Sequence, residues 1–62
     1  MKKVERQEQR LWDALKIAQK MSLAEAMELL HVSESTARRL FIRLESAGKA
    51  LRSYGGIQLV SD

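Results

Sequence analysis

A chain of 62 residues, 31% charged and 45% hydrophobic, is one small domain, close to the size below which a single core no longer supports itself. It has no cysteine and one histidine, His31. A disulfide framework and a cysteine-based zinc site are therefore excluded, His31 alone cannot form a metal site, and so small a core leaves little room for a preorganised catalytic site. The composition calls for neither an enzyme nor a cofactor. The formal net charge of +3 fits a nucleic-acid partner without requiring one. No apolar run approaches the roughly 18 residues of a membrane span, and no signal-like hydrophobic region follows Met1-Lys2-Lys3. A cytoplasmic location with no membrane partner is the resulting expectation.

The first predicted element is a helix over residues 4–19. Leu11, Leu15 and Ala18 fall at i, i+4 and i+7, one apolar face of a 3.6-residue period. Ala14 widens the stripe and Trp12 sits at its edge. Asp13, Lys16 and Gln19 face outward. Met21 follows as a candidate strand residue beside a later hairpin.

Ser22-Leu23-Ala24-Glu25 is a capping box, in which each side chain satisfies the other residue's backbone N–H. It predicts a helix over 23–30 with Ala26, Met27 and Leu30 inward. Two turns need tertiary packing to persist. His31-Val32-Ser33 breaks the pattern. Ser33 is a good N-cap for a third helix over 34–47, which Gly48 ends with a left-handed residue. Ala37, Phe41, Leu44 and Gly48 share one face of it. Ala50–Ser53 and Ile57–Val60 then pair as a hairpin over about 50–60, with Gly55-Gly56 supplying positive φ at the turn. A lone hairpin is not stable in water, so it must lean on the helices through Leu51 and Ile57 or Leu59.

Helices two and three are three residues apart, which is helix-turn-helix geometry. The fold class expected is mainly α with a small β-wing: a three-helix winged helix-turn-helix in a single domain spanning 1–62.

Charge is unevenly placed. Residues 33–56 carry Arg38, Arg39, Arg43, Lys49 and Arg52 against Glu34 and Glu45, whereas residues 21–32 carry Glu25 and Glu28 with no Lys or Arg. With the core face at Ala37, Phe41 and Leu44, a rotation of about 100° per residue turns Ser35, Arg39, Ile42 and Ser46 outward. Arg38 and Glu45 then lie on one flank, Thr36 and Arg43 on the other. The N-terminal end of such a helix is the end that reaches base edges in the major groove.

Arg38 and Arg39 are candidates for bidentate guanine contact or phosphate clamping. Ser35 and Thr36 suit phosphate or base edges. Ser22 and Ser33 sit at helix starts, where free N–H groups and the helix dipole favour phosphate. Arg43 is a further flank cation. Arg52 and Tyr54, on the wing, would meet the sugar–phosphate backbone or a minor groove. Equally, Arg38 and Arg39 could be a solvated face, or could pair with Glu34 and Glu45.

Together these residues resemble the N-terminal domain of DeoR-type transcriptional regulators. Val32, Ser33, Thr36, Arg38, Arg39, Leu44, Glu45, Gly48, Leu51, Arg52, Gly55 and Gly56 match that family's pattern, and the likeness runs from Arg6 to Ile57. The resemblance implies sequence-specific binding of double-stranded operator DNA. It further implies a bacterial repressor of sugar metabolism genes that forms a homo-oligomer in the full-length protein. Family members are longer. The 62 residues would then be a fragment of a repressor whose C-terminal domain senses a sugar-phosphate effector.

The chain departs from the pattern at Ala37 (usually Ile), Leu40 (usually Asp), Phe41 (usually Leu) and Tyr54 (usually His). Leu40 and Ile42 raise a rival reading, a winged-helix protein–protein interaction module that docks through an apolar patch. RNA is a weaker third, since Phe41 points inward and no aromatic stacking platform remains.

Overall fold

Helix α1 (Lys3–Ala18) leads into a short strand β1 (Lys20–Ser22), helix α2 (Leu23–Leu30), helix α3 (Glu34–Ser46) and the hairpin β2 (Ala50–Ser53) and β3 (Gly56–Leu59). The computed structural model describes residues 2–60. The three helices and the hairpin lie where the sequence places them, within one or two residues. Met21 lies in a full edge strand: β1 pairs antiparallel with β3, giving a three-stranded sheet in the order β1-β3-β2.

Two polar residues in the left-handed conformation make the corners of the fold. Gln19 (φ 71°) ends α1 and donates its N–H to the Leu15 carbonyl. The Gln19 carbonyl in turn accepts from the Leu59 N–H at 2.7 Å, tying the end of α1 to the sheet. His31 (φ 55°) ends α2 in the same way, donating to the Met27 carbonyl. Gly48 (φ 74°) follows α3.

The core is one cluster in which Leu11 and Leu15 of α1, Ala26 and Leu30 of α2, Leu40, Phe41 and Leu44 of α3, Ala50 and Ile57 meet. α3 is its central element and packs against α1, α2 and β2. That position explains the largest departure from the sequence reading. Leu40 is 0% exposed, so it is core and not part of a docking patch. A helix with neighbours on three sides buries an arc well over 100° wide. Leu40 sits about 60° from Ala37, inside that arc. Ile42 stays outside, 46% exposed.

Three smaller expectations are also corrected. Ala18 is exposed because the stripe on α1 runs past the end of the core; Ile17 beside it is 86% exposed. The hairpin leans inward on Ala50 and Ile57, not on Leu51, which is 51% exposed and pairs with exposed Gln58. A one-residue change of phase exchanges the two faces of a strand. Of the glycine pair only Gly55 (φ 74°) is left-handed. Gly56 is needed for close approach, since a Cβ there would lie 2.3 Å from the Met21 carbonyl oxygen of β1. Among the described residues no helix is long and apolar enough to cross a membrane.

Candidate nucleic-acid interface

The turn between α2 and α3 is held by its own backbone. Val32 donates to the Met27 carbonyl at 3.1 Å, and Ser33 caps α3, its hydroxyl accepting from the Thr36 N–H at 3.4 Å. The same hydroxyl lies 3.2 Å from Thr36 Oγ1 and 3.3 Å from Ser35 Oγ. Ser33 and Thr36 are therefore partly used in ending the turn, and Thr36 is half-buried. Ser35 is exposed on the opening turn of the helix.

Four arginines lie on or beside α3, and their partners divide them. Arg38 reaches back one turn to Glu34 at 3.3 Å, with both side chains more than 60% exposed. Arg43 is bound through Nε to Glu8 of α1 at 2.9 Å, and the Glu8 side chain is only 18% exposed. Arg52 of the wing is bound through Nε to Glu45 of α3 at 3.0 Å. Arg39 is exposed on the outer face and has no carboxylate partner among the described residues. The sequence reading offered Glu45 to Arg38 or Arg39; the strand alternation of β2 gives it to Arg52 instead. Arg52 lies two residues after buried Ala50 and opposite buried Ile57, hence on the face that looks at α3.

These bonds fix the wing. Glu45 holds β2 to α3, and the N–H of Leu23 donates to the Gly55 carbonyl at 3.0 Å, holding the turn to the start of α2. Between α3 and the wing lies an open groove of about 390 Å³ lined in part by Arg38, Phe41, Glu45 and Arg52. Tyr54 stands fully exposed at the wing tip.

At the start of α2 the capping box is complete. Ser22 donates its N–H to Glu25 Oε1 at 3.0 Å and accepts the Glu25 N–H at 3.1 Å. Bonds from the Ser22 N–H and then its hydroxyl hold the Glu25 carboxyl below the ordinary glutamate range. The N–H groups of Ser22, Leu23 and Glu25 are thus already engaged within the chain, which leaves Ser22 less to offer a phosphate than its place at a helix start suggests. Among the described residues no three His, Cys, Asp or Glu side chains converge to hold a metal ion.

Sequence reasoning missed Glu8, whose partner is 35 positions away. No local pattern announces such a pair. The Trp12 ring, placed at the edge of the core, carries a further device: the ammonium groups of Lys16 and Lys49 each lie 5.5 Å from its centroid. That is within cation–π range and ties Lys49 to α1.

The family model of the DeoR-like helix-turn-helix domain matches residues 6–62. No curated protein and no solved structure matches the chain. The matched span takes in both helices of the motif, the turn and the wing, so the chain belongs to the DeoR-like helix-turn-helix family and is a DNA-binding domain of transcription regulation.

Proposed function

We propose that this domain reads operator sequence in double-stranded DNA by laying the first outward turns of α3 in the major groove, as the DNA-binding part of a repressor. The observation that carries this reading is Arg39. It stands on the outer face of α3, exposed and without an acidic partner, one turn from the helix start and next to exposed Ser35. A free guanidinium there matches the N7 and O6 acceptors of guanine. Arg38 joins from the flank once the exposed Glu34 releases it, and phosphate is the stronger competitor for an exposed arginine.

Arg52 and Tyr54 serve the backbone beside the groove, with Glu45 as the competitor that DNA displaces from Arg52. Arg43 acts mainly as a strut between α3 and α1. Ser22, Ser33 and Thr36 contribute by fixing the helix starts, and Ser35 by direct polar contact. Control of sugar metabolism genes, a bacterial source, and a sugar-phosphate effector acting through a further domain are supported by the family resemblance alone.

Titration of the chain with duplex DNA at several salt concentrations tests the reading. Binding should weaken with a log–log slope near −0.9 for each phosphate neutralised. Amide shifts should move at residues 33–43 and at the wing. Salt-independent binding, or shifts confined to α1 and α2, would overturn it.

A further inference from the structure

Two shallow concavities run into one another between α1 and α2. One is lined by Arg6, Arg10, Ala14, Ile17 and Leu29 among others, the next by Ala14, Ile17, Ala18, Met21, Glu25 and Glu28 along with the same Leu29. Their shared floor is Ala14, Ile17 and Leu29. Ile17 is 86% exposed, the most exposed large aliphatic side chain among the described residues. A single exposed apolar residue means little, but Ile17 lies on a strip of floor shared by both concavities and rimmed by charge.

The rim has a definite pattern. Arg6 and Arg10 flank the strip at one end, and Glu25 and Glu28 flank it at the other. Asp13, also on the rim, is already matched by Lys16 at 3.3 Å and Gln9 at 2.9 Å. Arg6, Arg10 and Glu28 have no ion-pair partner among the described residues. A strip that is basic at one end, apolar in the middle and acidic at the other is self-complementary under a two-fold axis through its middle. A second copy turned end for end sets its acidic end on the first copy's basic end, twice over. An isologous contact requires this arrangement.

We infer that the α1–α2 strip is the surface through which two copies of this domain meet, with Ile17 packing about the two-fold axis and Arg10 facing Glu28 of the second copy. None of the strip's residues is among those proposed to touch DNA, so the pair keeps both α3 faces free. A stable dimer of ordinary size hides about 800 Å² on each partner, against a total surface here of 4493 Å². The strip is smaller than that share, so the contact is weak and is read by its dependence on concentration.

The test uses the chain alone, without DNA, so that its failure is separate from a failure of DNA reading. Amide and methyl shifts are recorded over a wide dilution series. Shifts at Ala14, Ile17, Ala18 and Leu29 should move together with concentration, and Ile17→Asp, which leaves the core untouched, should abolish the movement. Arg10→Glu alone and Glu28→Arg alone should each weaken self-association. An equimolar mixture of the two variants should restore it, because both ion pairs of the mixed dimer are then matched. The inference is overturned by shifts that do not depend on concentration, by movement at another face, or by a mixture no better than its components.

Discussion

The two successive turns of α3 carry the same residue type to different ends. In the first, Arg39 is exposed, unpartnered and beside exposed Ser35. In the second, Arg43 is bound to Glu8 across the domain, and the neighbouring wing cation Arg52 is bound to Glu45. Leu40 and Phe41, between them, are buried. An arginine tied to a shielded carboxylate on another helix, as Arg43 is to Glu8, is part of the scaffold. One facing solvent with no acid nearby is available to a ligand. The distinction rests on the partner, not on the residue or its place in the helical period.

The substitution with the largest expected effect probes the buried part of that second turn. Leu40→Ala removes a fully buried side chain and should cost about 2–5 kcal/mol, a large share of the stability of so small a domain. Thermal and urea melts read this directly. A loss under about 0.5 kcal/mol, as at an ordinary surface position, would return Leu40 to the surface.

Next in size, Arg39→Ala should leave the melting temperature unchanged and weaken duplex binding by about 1–3 kcal/mol. Arg43→Ala should do the reverse in kind: it strips a partner from Glu8, whose side chain is largely shielded, lowers stability by up to about 1 kcal/mol, and affects DNA binding less than Arg39→Ala does. Paired melts and binding titrations of the two variants would break the comparison if their effects were the same.

The wing gives a subtler contrast. Arg52→Ala should weaken all duplex sequences about equally. Glu45→Gln removes a negative charge from the groove and frees Arg52, so affinity for every duplex should rise modestly, with a steeper salt dependence. A fall in affinity would mean that Glu45 serves DNA binding by orienting Arg52 more than it hinders it by competing.

The smallest effect concerns the start of α2. Glu25 has a lowered folded value because the capping box stabilises its charged form. Its contribution is therefore fully present above the ordinary glutamate range and is lost as pH falls through the lowered folded value. In Glu25→Gln the acid limb of the melting temperature against pH should be flatter. An unchanged acid limb would remove the carboxylate from the cap.

The sequence held much of this. The three helices, the Ser22 and Ser33 caps, Gly48, the wing and the strand at Met21 follow from local rules of capping, period and turn chemistry. What stayed hidden depends on how many neighbours an element has. The buried arc of α3 is wide because α1, α2 and β2 all press on it, so Leu40 could not be separated from a surface leucine by angle alone. Leu51 and Ala50 differ by one step of strand phase, and the larger side chain is the misleading choice. Glu8 meets Arg43 only once the chain has folded. Arg39's outward place was legible, but its lack of an acidic partner was not, and that lack sets it apart from Arg38, Arg43 and Arg52.

Selection of bound duplexes from a random pool, run in parallel with the native chain and Arg39→Ala, tests DNA reading by α3 most directly. The native chain should enrich a defined half-site containing a strongly preferred guanine. The variant should enrich the same site with preference lost at that one base pair. Enrichment of no sequence by the native chain, or an identical site from both proteins, would contradict it.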